Sequence, residues 1–294
     1  MRSDRLIDLH LHTLASEGLL SLENQFAYAV GRGLSAIAVT DRDVLPDTAE
    51  AARLARQYGL ACIPGTEITA GYKGEEIHIL GYQIDPASAA LVKTVRRIQE
   101  ARMAHVQIMV YKLNQQGIRI QLEDVKRQAL SPPYLGRLHI ARALVERGYI
   151  GALRDAFSDK LIGIDGDCYY PTSLVPAVEI ISTIREGGGI PVLAHPGVYH
   201  RRLGLSIEEL EELREAGLKG IEAYHPCHSG AVADAFAGLG RNMNLLVTGG
   251  SGCRGVNYDP ILRSQVDVPD HCLPELEAAG LISVQNNLSL GTRQ

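Results

Sequence analysis

Residues 6–13 read Leu-Ile-Asp-Leu-His-Leu-His-Thr. Leu6–Leu11 has the make-up of a short strand that ends in polar residues. Side chains two apart in a strand share a face, so His10 and His12 can point at one ion. Working outward, Ser21–Arg32 has helical spacing, with Leu22, Phe26, Ala29 and Val30 on one side and Gly33 as a stop. Ala36–Thr40 is a buried-strand run. Asp47-Thr48-Ala49-Glu50 caps a helix reaching to about Tyr58. Ala61–Pro64 leads into Gly65-Thr66-Glu67, and Ile68–Tyr82 forms a hairpin around Gly71 to Gly74. This β-α-β-α-β rhythm predicts parallel strands joined by crossover helices.

From Ala87 to about Tyr170 the rhythm breaks into helices: Leu91–Gln116, Glu123–Ala129, Gly136–Arg147 and Ala152–Phe157. After Pro171 it resumes. A helix is expected over Leu174–Arg185, strands over Ile190–Ala194, Gly220–Ala223 and Leu245–Thr248, and a capped helix after Ser206. The predicted organisation is a barrel-like α/β domain over residues 1–86 and 171–294, interrupted by a helical insertion over 87–170.

The bulk properties suit a single large α/β domain. The chain has 294 residues, is 46% hydrophobic and carries a formal net charge of -5, ample for a sizeable core. That mild acidity implies no global attraction to nucleic acid or anionic membrane. Five cysteines without a CxxC pair suggest neither a disulfide framework nor a zinc ribbon. Residues Met1 to Arg5 run straight into an apolar strand, so no signal peptide is expected. No apolar run approaches the roughly 20 residues that cross a bilayer. A cytoplasmic protein with no membrane association and no obligate protein partner is the expectation.

Chemistry-bearing residues gather at the strand ends: His10 and His12, Glu67, His78 on the hairpin, and His195 in Ala194-His195-Pro196-Gly197. Imidazoles and one carboxylate are the ligand set of hydrolytic Zn, Mn or Fe sites. Each has a plainer reading alone: Glu67 as a surface carboxylate, His195 as a turn residue before Pro196. Four histidines and a glutamate at successive strand ends are hard to explain by packing.

These segments resemble the polymerase-and-histidinol-phosphatase (PHP) family. The resemblance is carried by Ile7–Thr13, Thr40-Asp41-Arg42-Asp43, Pro64–Ile68, His78–Tyr82, Ala194–Gly197 and Gly249–Gly255. Gly136–Val145 and Ala223–Ser229 look like the bacterial subgroup that dephosphorylates nucleotides and degrades short RNA from the 5′ end. The resemblance implies a distorted (β/α)7 barrel with up to three metals at its mouth. It implies metal ligation by His10, His12, Glu67, His78, His195 and the position of Glu17. It also implies substrate contacts from Arg137, His139, His225 and His228.

The departures are specific. Arg42 and Arg254 stand where the family usually has histidine ligands, Gly252 where it has aspartate, and Glu17 where it has a shorter carboxylate. A guanidinium stays protonated and cannot ligate. One or two divalent ions (Mn, Zn or Fe) are therefore expected rather than three. Two readings stay open. Arg42 and Arg254 take over the third cation's work by gripping phosphate oxygens, with Glu67 bridging a two-metal phosphoesterase for a small phosphorylated substrate such as AMP or short RNA. Alternatively, the site binds a phosphate-bearing ligand without turnover. The basic stretch from Lys93 to Arg127 reads either as an electrostatic lid over the mouth or as a solvated helix face.

Overall fold

The computed structural model describes residues 6–129, 134–198, 205–254 and 268–279. Seven strands form one sheet in sequence order: β1 Leu6–Leu11, β2 Leu34–Val39, β3 Ala61–Tyr72, β4 Glu75–Tyr82, β5 Ile190–Leu193, β6 Gly220–Tyr224 and β7 Leu246–Gly249. All neighbours pair in parallel except β3–β4 and β4–β5, because β4 returns along the hairpin. Past β7, Gly252 N donates to His10 O and the His12 N–H to Cys253 O. Leu11 and Cys253 form a parallel bridge, which brings the chain after β7 back to β1. One rim of a curled sheet thus gathers the ends of β1, β2, β5, β6 and β7.

Local chemistry explains most of the elements. Helix α1 (Leu22–Gly31) starts where the Ser21 hydroxyl accepts from Asn24 N. Helix α2 (Thr48–Tyr58) starts where the Asp47 carboxylate accepts from Glu50 N, and it ends on left-handed Gly59. Four helices follow: α3 (Ala89–Gln115), α4 (Leu122–Gln128), α5 (Arg137–Glu146) and α6 (Ala177–Glu186). The expected helix at Ala152–Phe157 is a 3-10 turn over Leu153–Phe157. Helix α6 begins three residues later than expected, because the chain before it bonds the hairpin, Gly71 N donating to Val175 O. Helix α7 (Ile207–Glu215) has the reciprocal Ser206–Glu209 capping box.

Two further helices, α8 (Gly230–Asn242) and α9 (Cys272–Ala279), lack a strong sequence signal. In α8, Gly230, Gly238 and Gly240 depress helix propensity. Packing requires one of them: a Cβ at Gly240 would lie 2.8 Å from Ile221 Cγ2 on β6.

The strands bury Leu9, Ala38, Ile63, Leu80 and Val192 among themselves and against α9. The insertion has an apolar cluster of its own around Met109, Leu113, Val125, Ile140 and Leu144. Helix α3 joins both units: Leu91, Val95 and Ile98 pack with α6 and the hairpin, while its second half packs into the insertion. Among the described residues, no helix is long and apolar enough to cross a membrane.

Candidate active site

Glu67 on β3 is fully buried and is the hub of the rim. Its Oε2 lies 3.3 Å from His12 Nε2, 3.5 Å from His10 Nε2 and 3.1 Å from Arg42 Nη2. Its Oε1 lies 3.0 Å from His78 Nδ1 and 3.1 Å from His195 Nε2. The predicted His10, His12, Glu67, His78 and His195 therefore converge on one carboxylate. They form two groups with metal-binding spacing, His10–His12–Glu67 and Glu67–His78–His195.

A residue outside the sequence expectation completes the site. Glu222 on β6 is fully buried. It accepts from His10 Nδ1 at 2.9 Å and from His195 N at 2.8 Å. It thus orients one imidazole and holds the backbone of another, at a residue whose φ is +25°. A lone acid in the apolar strand Gly220-Ile221-Glu222-Ala223-Tyr224 was the available signal. Its partner His10 is 212 positions away. Orienting carboxylates behind ligating histidines raise ligand basicity and fix the ring. Glu222→Gln is expected to weaken divalent-ion affinity by about 10–100-fold, read by Mn²⁺ titration. Unchanged affinity would show that His10 needs no such support.

The electrostatics follow from burial and pairing. Burial pulls His10 down, but the Glu222 and Glu67 carboxylates overcome it and lift it to about 10. An incoming ion must therefore displace a proton there. Burial holds His12 well below its usual value, with help from the positive charges around it, so it is neutral and ready to ligate. Burial also lowers His195 to about 4 and His225 to about 3. Glu67 stays well below the usual carboxylate range: burial opposes this, but Arg42 and the histidines prevail.

The two substituted positions form a second cluster. Arg42 Nη1 lies 2.7 Å from the His78 ring nitrogens. Glu17 Oε1 is 3.5 Å from Arg42 Nε, and its Oε2 is 2.9 Å from Arg254 Nε. Tyr134 donates to Glu17 at 2.7 Å. Glu17 is thus engaged with two guanidiniums and a phenol, and lies outside the groups with metal-binding spacing.

Two adjoining cavities share Arg42, His78 and Arg254. One, of about 300 Å³, is lined by His10, His12, His195, His225 and Cys227. The other, of about 330 Å³, lies between rim and insertion and is lined by Arg102, Tyr134, Arg137, Phe157 and Tyr169. Arg137 lies over Tyr169 and Phe157, 5.4 and 5.8 Å from their ring centroids.

The other expected substrate contacts divide. His225 lines the first cavity and forms a third group with His10 and Glu222. His139 is fully buried beneath the mouth, its Nδ1 accepting from Gly136 N, so it supports the start of α5 rather than lining a cavity. His228 spends both ring nitrogens on backbone, on Ala223 O at 2.7 Å and Gly197 N at 3.0 Å. His228 thus has no ring nitrogen left for a ligand, while the buried Nε2 of His139 has no hydrogen-bond partner among the described residues. Gly252 has φ +58°, and a Cβ there would meet His225 Nε2 at 2.8 Å. A carboxylate at 252 therefore requires His225 to move. Gly255, the last residue of that motif, lies outside the described residues.

A PHP domain matches residues 8–168. The chain belongs to the PHP family. This PHP chain is 30% identical over 283 residues to a 3′,5′-nucleoside bisphosphate phosphatase of Chromobacterium violaceum, covering 92% of the chain and 96% of that relative. It is 34% identical over 197 residues to the 5′-3′ exoribonuclease Rnm of Escherichia coli, covering 66% and 67%. A solved structure of a proposed metal-dependent phosphoesterase from Bifidobacterium adolescentis superposes with a TM-score of 0.85 at 28% identity, covering 96% of this chain and 98% of that one. The PHP fold that the resemblance implied is thus established. The class is that of the metal-dependent phosphoesterases, which are hydrolases.

The donor set of this PHP chain suits a divalent ion. His12 is neutral, His10 is oriented by Glu222, and the buried Nε2 atoms of His10 and His12 converge on Glu67 Oε2 at 3.5 and 3.3 Å. Two imidazole nitrogens and a carboxylate oxygen converging on one point are a ligand set for a divalent ion.

Proposed function

We propose that this PHP protein hydrolyses a phosphomonoester of a nucleotide or short oligonucleotide at the junction of the two cavities. The observation that carries this reading is Glu67, whose buried Oε2 faces His10 Nε2, His12 Nε2 and the Arg42 guanidinium together. His10, His12 and Glu67 would hold the ion, which when bound supplies Lewis acidity and an activated water. Arg42 and Arg254 border both cavities, where a phosphate can receive charge-assisted hydrogen bonds from planar forks. Arg137 with Tyr169 and Phe157 offers a cationic and aromatic wall for the rest of a nucleotide. The relatives' named substrates, a nucleoside bisphosphate and RNA, are of this chemistry. All five cysteines are free, which suits the cytoplasm.

One observation favours binding without turnover. Arg42 already occupies Glu67 and His78, so the site's carboxylate is partly neutralised before any ion arrives. The two readings separate in a single assay. Protein stripped by chelator and reloaded with Mn²⁺ is given 5′-AMP, adenosine 3′,5′-bisphosphate and a short RNA. Metal-dependent release of phosphate is expected, lost again on stripping. Arg137→Ala should raise KM about tenfold or more, the worth of a charged hydrogen bond, with little change in kcat. A nucleotide bound tightly with no phosphate released would overturn hydrolysis and leave the binding module.

A further inference from the structure

We infer that the Arg42 guanidinium takes the place of a second metal ion, so that this chain holds one divalent ion, on His10, His12 and Glu67. The group Glu67–His78–His195 is closed to metal by its own side chain. The inference uses the ion assignment made above but not the substrate.

The geometry points to this from several sides. Nη2 of Arg42 is 3.1 Å from Glu67 Oε2, and Nη1 is 2.7 Å from the His78 ring. Both ring nitrogens of His78 are therefore in contact with a fixed positive charge, whereas Arg42 meets the other group only at Glu67 Oε2 and leaves the rings of His10 and His12 to the ion. A guanidinium does not deprotonate at any working pH, so metal cannot displace its proton as it can that of an imidazolium. A dication ligated by His78 would have to take the ring nitrogen that Arg42 Nη1 already meets at 2.7 Å, and like charges at that distance in a buried site repel strongly.

The backbone that carries Arg42 is held beside Glu67. Arg42 is 5% exposed and its backbone forms a bridge with Glu67. Glu67 N donates to Asp41 O and Asp43 N to Glu67 O, which pins Arg42 on both sides. Asp43 has φ +52°, a strained conformation for a non-glycine residue. Every polar group of Asp43 is held: the carboxylate by Thr69 and Arg102, the carbonyl by Gln99 at 2.7 Å. Gln99 and Arg102 lie on α3, so the insertion helix fixes the turn that aims Arg42 at Glu67. Glu17 balances the remaining charge by pairing with both arginines.

The test is metal stoichiometry on the full chain, purified without a metal-affinity step, stripped, titrated with Mn²⁺ and desalted for elemental analysis. Wild type is expected to hold one ion per chain, Arg42→Ala two, and Arg254→Ala one, because Arg254 pairs with Glu17 and not with Glu67. Two ions in wild type, none in wild type, or no gain in Arg42→Ala each overturns the inference. Should Arg42→Ala not fold, Arg42→Gln removes the charge with less loss of packing and carries the same expectation. Electron paramagnetic resonance of Mn²⁺-saturated wild type gives an independent reading. An isolated six-line spectrum supports one ion, and an exchange-coupled pair refutes it. One ion without phosphate release would leave this inference standing while the hydrolytic reading fell.

Discussion

Glu67→Gln is expected to destabilise the metal-free protein by about 3–5 kcal/mol and to abolish divalent-ion binding. Glu67 is fully buried, and its two oxygens face Arg42, His10, His12, His78 and His195. The isosteric amide keeps the shape and removes the charge, so packing loss contributes little. What remains is a buried guanidinium beside an imidazolium that the lost carboxylate had helped to charge. Removing one member of a buried charge cluster costs more than the cluster contributes as a whole, because the survivor stays desolvated. Urea denaturation of stripped protein measures the first effect, and Mn²⁺ titration the second. A stability change below about 1 kcal/mol would show that water reaches Arg42 and compensates it.

Arg102→Ala is expected to be comparably costly, about 3–5 kcal/mol, although Arg102 contacts neither candidate metal group. It is buried on α3 and pairs with fully buried Asp43, also reaching the Thr69 hydroxyl. Its guanidinium lies 4.9 Å from the centre of the Tyr134 ring, and Tyr134 in turn donates to Glu17. Truncation leaves an unpaired carboxylate on the strained turn next to Arg42. Arg102→Lys should recover part of the loss, since an ammonium can meet Asp43 but cannot span Asp43 and Thr69 as a planar fork does. A purely packing role for Arg102 predicts that methionine rescues as well as lysine. The charge-pair role predicts that it does not.

Much of this architecture was legible in the chain. The bounds of β1, the helix after Ser21, the caps at Asp47 and Ser206, and the hairpin turn follow from short-range chemistry, and the structure places them within a residue or two of expectation. The donors His10, His12, Glu67, His78 and His195 were likewise visible, because imidazoles recurring at strand ends stand out from packing. Helix α8 was not visible, since three glycines mask it and the contact with β6 explains only Gly240. Glu222 and the Arg102–Asp43 pair were not visible either. A single acid in an apolar strand and one arginine in a basic helix look the same whether solvated or buried.

The sequence by itself determined which residue types this chain could offer an ion and a phosphate, since side-chain chemistry and strand periodicity are local properties. It also showed that two cations of the site are arginines and so permanent. Only the tertiary structure decided where those charges sit. It placed Arg42 on Glu67 and His78, coupled Glu17 to both arginines, and set Glu222 behind His10 from 212 residues away. These contacts depend on how distant strands meet at one rim and on the desolvation that meeting imposes, and neither is written in any local stretch of the chain.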